Sequence, residues 1–551
     1  MKLIDSRRLT GPNLVWDHPG ALLDVSFDDA DVVDLWKEEI VALRSMLDLP
    51  DMDLTVLPRA EGAWLVVGGP VDQLYGLIEA SELAWDRAVF RFQGSEPGDP
   101  DLFSVLSELN DERSSAVTLL QDAARDNGVT FFWDDDDISL GMGTGSQSWP
   151  RSETPDPTEL DWSAFHDIPV AVVTGTNGKS TNIRLLCHIA ACWGKAYGST
   201  STDWIRVNEE VIDTGDYSGP GGARSALRDP RVEIALLETA RGGLLRRGCG
   251  IQRADVAAIL NVAEDHMGQY GVNTVEDLIA VKLIVRRLVR DAGLLVLNAD
   301  DAGLVKASKA FPDQRICWFS MRPPHVDRGE SACFVKDGRL VHWRNGDATE
   351  VVAVNDIPIT MGGKAAYNVA NALSATAIAL GLGAPVKAIR KGLTTFESDF
   401  RSNPGRSNYF DMGGFTVLLD YAHNVHGLKA ILETTSQLGA KRQVLTLSTA
   451  GDRTEHEIRE FASTASEYGI KDIIVSDCVG YERELGEGGV RRILADELQS
   501  RGVTPIEVAE ELDAVKKALD MSQDGDLLIC LVKGQREDSV AEIRSRMQQA
   551  D

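Results

Sequence analysis

The sequence has no cysteine framework and no long apolar run. Its seven cysteines are odd in number, are scattered over 551 residues and form no Cys-x-x-Cys pair. This usage is typical of reduced thiols in the cytoplasm. No window approaches the about 20 apolar residues of a membrane-spanning helix, and residues 1–5 show no signal-peptide pattern. These absences exclude a disulfide-stabilised secreted domain and predict a cytoplasmic protein with no membrane insertion.

Basic residues are also scarce. Lysine and arginine total 56 against 85 aspartates and glutamates, which gives a formal net charge of −29. This charge repels a nucleic-acid backbone or an anionic membrane, so neither is predicted as a partner, and its simplest role is solubility. At 551 residues the chain exceeds what one hydrophobic core supports, so about two to four domains are expected.

Residues 170–181 join an apolar strand to a glycine-framed turn and a helix start. Backbone N–H groups of such a turn cradle phosphates, Lys179 can reach the terminal phosphates, and the Ser180 hydroxyl can ligate Mg²⁺. Val173 stands where the common G-x-x-x-x-G-K-[ST] loop has its first glycine, and an ordinary strand–turn–helix is the alternative interpretation. The sequence therefore predicts ATP binding by a P-loop comprising Thr174, Gly175, Thr176, Asn177, Gly178, Lys179, Ser180 and Thr181.

Strands alternate with helices from residue 168 to about 396, which is typical of a mostly parallel sheet. Glu238, residues 261–266 and residues 298–301 each follow a buried strand, and ligands bind where parallel strands end. Glu238 and His266 are candidates to hold Mg²⁺ with the loop, and Asn298 and Asp301 to accept hydrogen bonds from adenosine. Helix capping, ion pairing and a structural histidine are the alternatives.

Lys282 lies in a helical stretch, residues 278–285, that is apolar nearly all round. A buried ammonium needs a partner or a changed protonation state. The side chain either reaches solvent by snorkelling or is a neutral amine that reacts with CO₂ to form a carbamate, whose oxygens could ligate a second metal ion.

The chain is expected to divide into an amino-terminal α+β domain (1–150), a linker (151–167), a central α/β P-loop domain with a mostly parallel sheet (168–400) and a Rossmann-like α/β domain (401–551). Glycine and serine at 141–148 and the proline-rich acidic run at 151–159 are typical of a linker. Four aspartates at 134–137 lack the spacing of a calcium loop and are interpreted as a solvated turn.

Together these motifs resemble the ATP-dependent Mur ligases. The P-loop, Glu238 in LETARGG, His266 in NVAEDH, Lys282 and the DYAHN motif at 420–424 follow that family's order from residue 168 to 551. Within the family the chain is similar to the Mur-like half of cyanophycin synthetases, with an amino-terminal domain of the same kind. That similarity rests on residues 9–13, 237–247, 367–371 and 403–408.

The resemblance implies ATP and Mg²⁺ as cofactors, with Ser180, Glu238 and His266 as metal ligands and carbamylated Lys282 on a second Mg²⁺. It implies that Arg406, Asp420 and His423 approach the nucleotide or the reacting phosphate as a mobile third domain closes. Residues 451–453 and 533–536 either bind the amine substrate or are surface turns. The resemblance also implies a homodimer or homotetramer that acts on small amino acid or peptide substrates.

Two departures from cyanophycin synthetases qualify the resemblance. Their ATP-grasp domain is missing between the first two domains, and Val425 replaces the proline that ends the DYAHN motif, which affects helix initiation more than chemistry. We expect an ADP-forming ligase that joins an amino acid such as arginine to an aspartyl-like carboxylate through an acyl phosphate. The alternatives are a partner-dependent enzyme that extends a cyanophycin-like polymer and a non-catalytic nucleotide-binding scaffold.

Overall fold

The structure, a computed structural model, describes residues 1–50, 53–324 and 329–550. The amino-terminal part is α+β: an antiparallel sheet of order β1-β2-β4-β3, four helices and a small antiparallel sheet of order β5-β6-β7. Its elements are β1 (Lys2–Leu9), β2 (Gly20–Ser26), α1 (Asp31–Met46), β3 (Leu54–Arg59), β4 (Gly62–Gly68), α2 (Leu74–Phe92), α3 (Phe103–Glu112), α4 (Ser115–Asp126), β5 (Phe131–Trp133), β6 (Asp137–Leu140) and β7 (Gln147–Pro150).

Both faces of the first sheet are buried. Leu23 and Leu65 point into a core with α1 and α2, while their neighbours Leu22 and Val66 join the core of the central domain. Because side chains alternate across a strand, the two faces belong to two different cores. The amino-terminal sheet is therefore packed firmly onto the rest of the protein.

The segment that was expected to be a linker contacts both neighbours, since Arg151 donates to the Glu112 carbonyl and Asp167 pairs with Arg253. Backbone N–H groups of Met142 and Thr144 donate to His166 and Val232 at 3.0 and 2.8 Å. In the aspartate run, Asp134 pairs with Arg228 at 2.5 Å. The linker bounds stay a prediction, but this region docks on the central domain.

The central domain confirms the predicted α/β class. Its sheet has the order β11-β10-β9-β12-β8-β13-β14-β15-β16-β17-β18, parallel from β9 to β16 with antiparallel hairpins at both edges. The elements are β8 (Val170–Thr174), α5 (Lys179–Trp193), β9 (Tyr197–Thr200), β10 (Trp204–Val207), β11 (Glu210–Thr214), α6 (Pro220–Arg228), β12 (Ile234–Glu238), α7 (Arg241–Arg247), β13 (Ala254–Ile259), α8 (Val275–Lys282), β14 (Val289–Asn298), α9 (Ala302–Ser308), β15 (Ile316–Ser320), β16 (Ser331–Lys336), β17 (Arg339–Arg344), β18 (Asp347–Ala353), α10 (Ala366–Gly381) and α11 (Val386–Thr395).

The carboxyl-terminal domain is a second α/β unit with the sheet order β19-β20-β24-β21-β22-β23, parallel except for the β19–β20 pair. Within the described residues, no helix is both long and apolar enough to cross a membrane. The elements are β19 (Asn408–Asp411), β20 (Thr416–Asp420), α12 (Val425–Ser436), β21 (Arg442–Leu447), α13 (Glu455–Glu467), β22 (Asp472–Val475), α14 (Gly489–Ser500), β23 (Ile506–Glu507), α15 (Glu511–Met521), β24 (Asp526–Leu531) and α16 (Arg536–Ala550).

Candidate active site

A cleft of about 1880 Å³ lies where the three domains meet. The amino-terminal domain contributes Arg7, the central domain contributes Lys179 and Glu238, and the carboxyl-terminal domain contributes Arg406 and His423. In the central sheet, β8 lies between β12 and β13. The ends of these three parallel strands therefore deliver the P-loop, Glu238 and the segment before His266 to one edge of the sheet.

The P-loop has a compact turn ahead of α5. Gly178 adopts a left-handed φ of 88°, and a Cβ there would collide with the side chain of Asn371, so glycine is required on both counts. Lys179 Nζ donates to the carbonyls of Gly175 and Thr176, both at 3.1 Å. The ammonium thus lies over the mouth of the loop, where a phosphate would be cradled.

Asn261 fixes the loop from the neighbouring strand. Its side-chain oxygen accepts from the Asn177 N–H at 2.9 Å, and its carbonyl accepts from the Thr176 N–H at 2.9 Å. The remaining predicted loop residues, Thr174 and Thr181, are buried. The sequence did not single out Asn261 by itself as an anchor, although it lies in a polar segment that was expected at this edge.

Glu238 has the character of a metal ligand. It is opposite Val173 in the β12–β8 register and is 2% exposed, and neither carboxylate oxygen has a hydrogen-bond donor within 3.5 Å in good geometry among the described residues. Burial raises the pKa of Glu238, while Lys179 and the nearby Ser180 hydroxyl act to lower it. A buried, unpartnered carboxylate is costly unless a cation or hydrogen-bond donor meets it.

These groups fit Mg²⁺, which retains waters and uses one or two protein groups together with substrate phosphates. The Ser180 Oγ, 3.2 Å from Thr202 Oγ1, is the second candidate ligand. In the part of the chain that the structure covers, no group of three or more histidine, cysteine, aspartate or glutamate side chains is arranged as a metal cage. The donor set therefore fits a metal that is shared with a nucleotide.

His266 lies in a charged cluster between two domains. Arg453 donates to Asp265 at 2.5 Å and approaches His266 Nε2 at 3.3 Å, while His266 Nδ1 is 3.8 Å from Asp452. Burial acts to raise the pKa of Asp265, but Arg453 outweighs it and holds that pKa well below its usual range. Burial lowers the pKa of His266, which favours the neutral imidazole that a metal would need. In this arrangement Nε2 faces a guanidinium, so direct ligation through Nε2 requires Arg453 to shift.

Lys282 is 3% exposed at the end of α8. Burial, with repulsion from Lys179, lowers its pKa from 10.5 to about 7. The snorkelling alternative is thus wrong, because the side chain stays buried beside the cleft and does not reach bulk solvent. The neutral amine that carbamylation needs is accessible near pH 7.

The carboxyl-terminal domain contacts the P-loop directly. Asn424, which caps α12, exchanges side-chain hydrogen bonds with Asn177 at 3.1 Å, and Arg536 reaches Asp203 at 2.9 Å. Burial acts to raise the pKa of Asp203, but Arg184 and other arginines outweigh it and lower that pKa to about 2. The domains are thus linked near the P-loop, and of the residues involved only Asp203 was not singled out by the sequence analysis.

The other predicted residues have defined partners. Arg406 stacks over Tyr421 with its Cζ 4.1 Å from the ring centroid, and Asp420 accepts from the Ser407 and Ala422 N–H groups at 2.7 and 2.8 Å. Burial lowers the pKa of His423 to about 3. All three predicted residues line the cleft, so their approach to a nucleotide stays a prediction consistent with their position.

The two residues that were predicted to contact adenosine, Asn298 and Asp301, form hydrogen bonds within the protein. Asn298 donates to the Leu260 carbonyl at 3.0 Å and lines the cleft. Asp301 accepts from the N–H groups of Val262 and Leu304 at 2.8 and 3.1 Å and caps α9. Capping, the alternative interpretation, therefore accounts for one oxygen of Asp301, and the Val262 N–H occupies the other.

Two regions of the chain match domains of one protein family. Residues 173–379 match the Mur ligase middle domain, and residues 405–536 match the Mur ligase glutamate ligase domain. The chain belongs to the Mur ligase family. The match confirms the fold class that the motifs predicted.

Two named relatives each match about two thirds of this chain. The cyanophycin synthetase of Synechocystis sp. is 36% identical over 368 residues, covering 66% of this chain and 42% of that protein. The UDP-N-acetylmuramoyl-L-alanyl-D-glutamate–2,6-diaminopimelate ligase of Listeria monocytogenes is 26% identical, covering 66% of this chain and 73% of that protein. The match thus spans about two fifths of the cyanophycin synthetase.

A solved structure supports the fold independently. FolC of E. coli in complex with ADP has a TM-score of 0.53 at 16% identity, covering 82% of this chain and 98% of that chain. At this identity the likeness concerns the fold alone.

Proposed function

We propose that this Mur ligase is an ATP-dependent, ADP-forming carboxylate–amine ligase. The observation that carries the proposal is the buried Glu238 carboxylate beside Lys179 and Ser180 at the strand ends that line the three-domain cleft. A carboxylate, a hydroxyl and an ammonium around a phosphate loop are the parts that phosphoryl transfer requires.

The residues of the chain define the first half-reaction. The substrate carboxylate attacks the γ-phosphoryl group of ATP, and ADP leaves. Lys179 spreads the charge that develops on the phosphoryl oxygens, and Arg406 faces the same cleft. Bound Mg²⁺, held by Ser180 and Glu238 with His266 as a further ligand, would neutralise the phosphate charge. Carbamylated Lys282 would hold a second ion near the acyl group.

The second half-reaction forms the amide. The amine nitrogen attacks the acyl phosphate carbon, the C–O bond to phosphate breaks, and one proton passes from the nitrogen to the departing phosphate. Water must be kept out, because it would hydrolyse the acyl phosphate. The contact of Asn424 with Asn177 supports the proposal that the third domain covers the loop.

The acid substrate that we propose is an aspartyl-like carboxylate, and the amine is an amino acid such as arginine, acting as small molecules in the cytoplasm. The support is the similarity to cyanophycin synthetases over 66% of the chain. A homodimer or homotetramer is part of this proposal.

The test is a substrate matrix. A panel of acidic acceptors is paired with the common amino acids, and phosphate release from ATP is recorded for each pair, with the Lys179→Ala variant as the matched blank. Release that requires both an acid and an amine supports the ligase. ATP binding with no amine-dependent release from any pair would instead indicate a nucleotide-binding scaffold.

A second candidate is partner-dependent extension of a cyanophycin-like polymer. It is favoured by the share of the cyanophycin synthetase that the match covers, 42%, and by the short stretch between the first two domains. Phosphate release that appears only when a polymer primer and a separate ATP-grasp enzyme are added would support this candidate over the small-molecule ligase.

A further inference from the structure

The loop that carries His266 has an unusual backbone. Residues 266–271 follow Asp265, and four of the six have positive φ: 53° at His266, 83° at Gly268, 51° at Tyr270 and 67° at Gly271. His266 and Tyr270 are not glycines, so the left-handed conformation is unfavourable for them and persists only where neighbouring groups impose it.

One neighbour belongs to the central domain. Arg241, at the start of α7, donates from Nη1 to the His266 carbonyl at 3.0 Å and from Nη2 to Gln269 Oε1 at 2.8 Å. This guanidinium holds one side of the loop.

The other side is held by the amino-terminal domain. The guanidinium of Arg7, on β1, lies 5.3 Å from the ring centroids of both Trp64 and Tyr270. Arg59, at the end of β3, lies so close to Gly271 that a Cβ there would overlap its guanidinium. Two arginines from β1 and β3 therefore contact consecutive loop residues, and glycine at 271 makes the second contact possible.

Each arginine is itself held in place. Arg7 donates to Asp5 at 2.6 Å, and Arg59 pairs with Asp24. The strands that carry these arginines are fixed relative to the central domain, because Leu22 and Val66 of the same sheet are buried in the core of that domain.

Arg7 lies at the edge of the cleft but is almost fully buried against the loop. Its side chain is 3% exposed, and its Nε and Nη2 atoms are shielded from solvent and have no hydrogen-bond partner within the described residues. The guanidinium lies near both aromatic rings, and cations interact favourably with such faces.

We propose that Arg7 and Arg59 of the amino-terminal domain are positioning residues of the active site, which hold the loop 266–271 in its left-handed conformation and so fix the place of His266. The proposal rests on the proposed function, in which His266 serves the metal and phosphate chemistry. It gives the amino-terminal domain a definite role, because the site is incomplete unless this domain is docked.

The first measurement is amide hydrogen exchange of the full chain without nucleotide, in Arg7→Ala, Arg59→Ala and Tyr270→Ala. We expect faster exchange in the peptide that contains residues 266–271. The matched control is Arg8→Ala on the same strand, since Arg8 also stacks on a tyrosine, 3.6 Å over Tyr75, and pairs with Asp135 at 3.1 Å. It should leave the loop peptide unchanged.

The second measurement is steady-state kinetics with an active acid and amine pair. Misplacing a reacting group by about 1 Å can cost about 100-fold in rate, so kcat should fall between about 10-fold and 100-fold in the three variants, while the KM for the acid changes little. The kcat of the double variant Arg7→Ala/Tyr270→Ala should be no lower than that of the poorer single variant, because both substitutions remove the same contact between Arg7 and Tyr270.

Two results would overturn the proposal. One is loop exchange in Arg7→Ala equal to that in Arg8→Ala. The other is a raised KM for the acid with kcat retained, which would make Arg7 a substrate-binding residue. If Arg7→Ala does not fold, Arg7→Lys, which keeps the charge and loses the planar stack, and Tyr270→Ala carry the same test. Because exchange is measured without substrate, its result is independent of whether the substrate matrix shows ligase activity.

Discussion

The stability of Lys282→Met should depend strongly on pH. Lys282 is 3% exposed, and its neighbours in α8, Leu278 and Val281, belong to the central apolar core. Methionine is unbranched and of similar length, so it can occupy the same space without an ionisable group. The substitution therefore isolates the cost of burying an amine.

The magnitude follows from the two protonation equilibria. Burial lowers the pKa of Lys282 from 10.5 to about 7 in the folded protein. Between these values the unfolded chain binds a proton that the folded chain does not, so the stability of the wild type rises with pH over this window and is lowest below pH 7. Each pKa unit of difference between the folded and unfolded protein corresponds to about 1.36 kcal/mol. Relative to the wild type, Lys282→Met should therefore gain about 5 kcal/mol of unfolding free energy at pH 6 and about 2 kcal/mol at pH 9.

The assay is urea unfolding of both proteins at pH 6 and pH 9, in bicarbonate-free buffer so that the amine stays unmodified. Lys306→Met, at an exposed lysine of α9, is the matched control and should shift the midpoint equally little at both pH values. An equal shift for Lys282→Met at the two pH values, or a net destabilisation at pH 6, would refute the claim that a buried, neutral-prone amine occupies this position.

Three further predictions concern the cleft. Lys179→Ala should abolish ADP release in the presence of acid and amine, since the charge over the loop is lost, and retained turnover in a coupled ADP assay would remove the P-loop assignment. Glu238→Gln keeps the size but not the charge, so the Mg²⁺ concentration for half-maximal activity should rise at least about tenfold; an unchanged magnesium titration would count against Glu238 as a ligand. Arg536→Gln removes the contact with Asp203, and small-angle scattering should show a larger radius of gyration together with a lower kcat. A scattering curve that matches the wild type would show that this contact does not hold the domains together.

The sequence predicted the parts of the site that are local. The strand–turn–helix of the P-loop is set by a short run of residues, and β8 with α5 occurs where residues 170–181 indicated. The buried strands ending at Glu238 and Asn298 were predicted for the same reason, since apolar runs and strand ends are visible along the chain.

The contacts between domains could not be predicted in this way. Arg453 pairs with Asp265 across 188 positions, and Arg536 with Asp203 across 333. No periodicity encodes such pairs, because they depend on how folded domains dock. Asp301 shows the converse case: a polar residue after a strand has the same pattern whether it meets a ligand or caps a helix, and here it caps α9.

One missed feature did leave a trace in the sequence. The runs Ala21–Leu22–Leu23 and Leu65–Val66–Val67 are apolar at consecutive positions, which favours burial on both faces of a strand. The structure shows that burial, with one face in each of two cores. The docking of the amino-terminal sheet was therefore detectable, although its partner was not.

Isotope transfer from the acid substrate tests the central claim most directly. The acid identified in the substrate matrix is prepared with ¹⁸O in its carboxylate, and the mass of the phosphate released during amide formation is measured. Attack of the carboxylate on the γ-phosphoryl group predicts that one carboxylate oxygen leaves in each phosphate, so labelled phosphate should form in step with the amide. Unlabelled phosphate accompanying amide formation would contradict an acyl phosphate in this cleft.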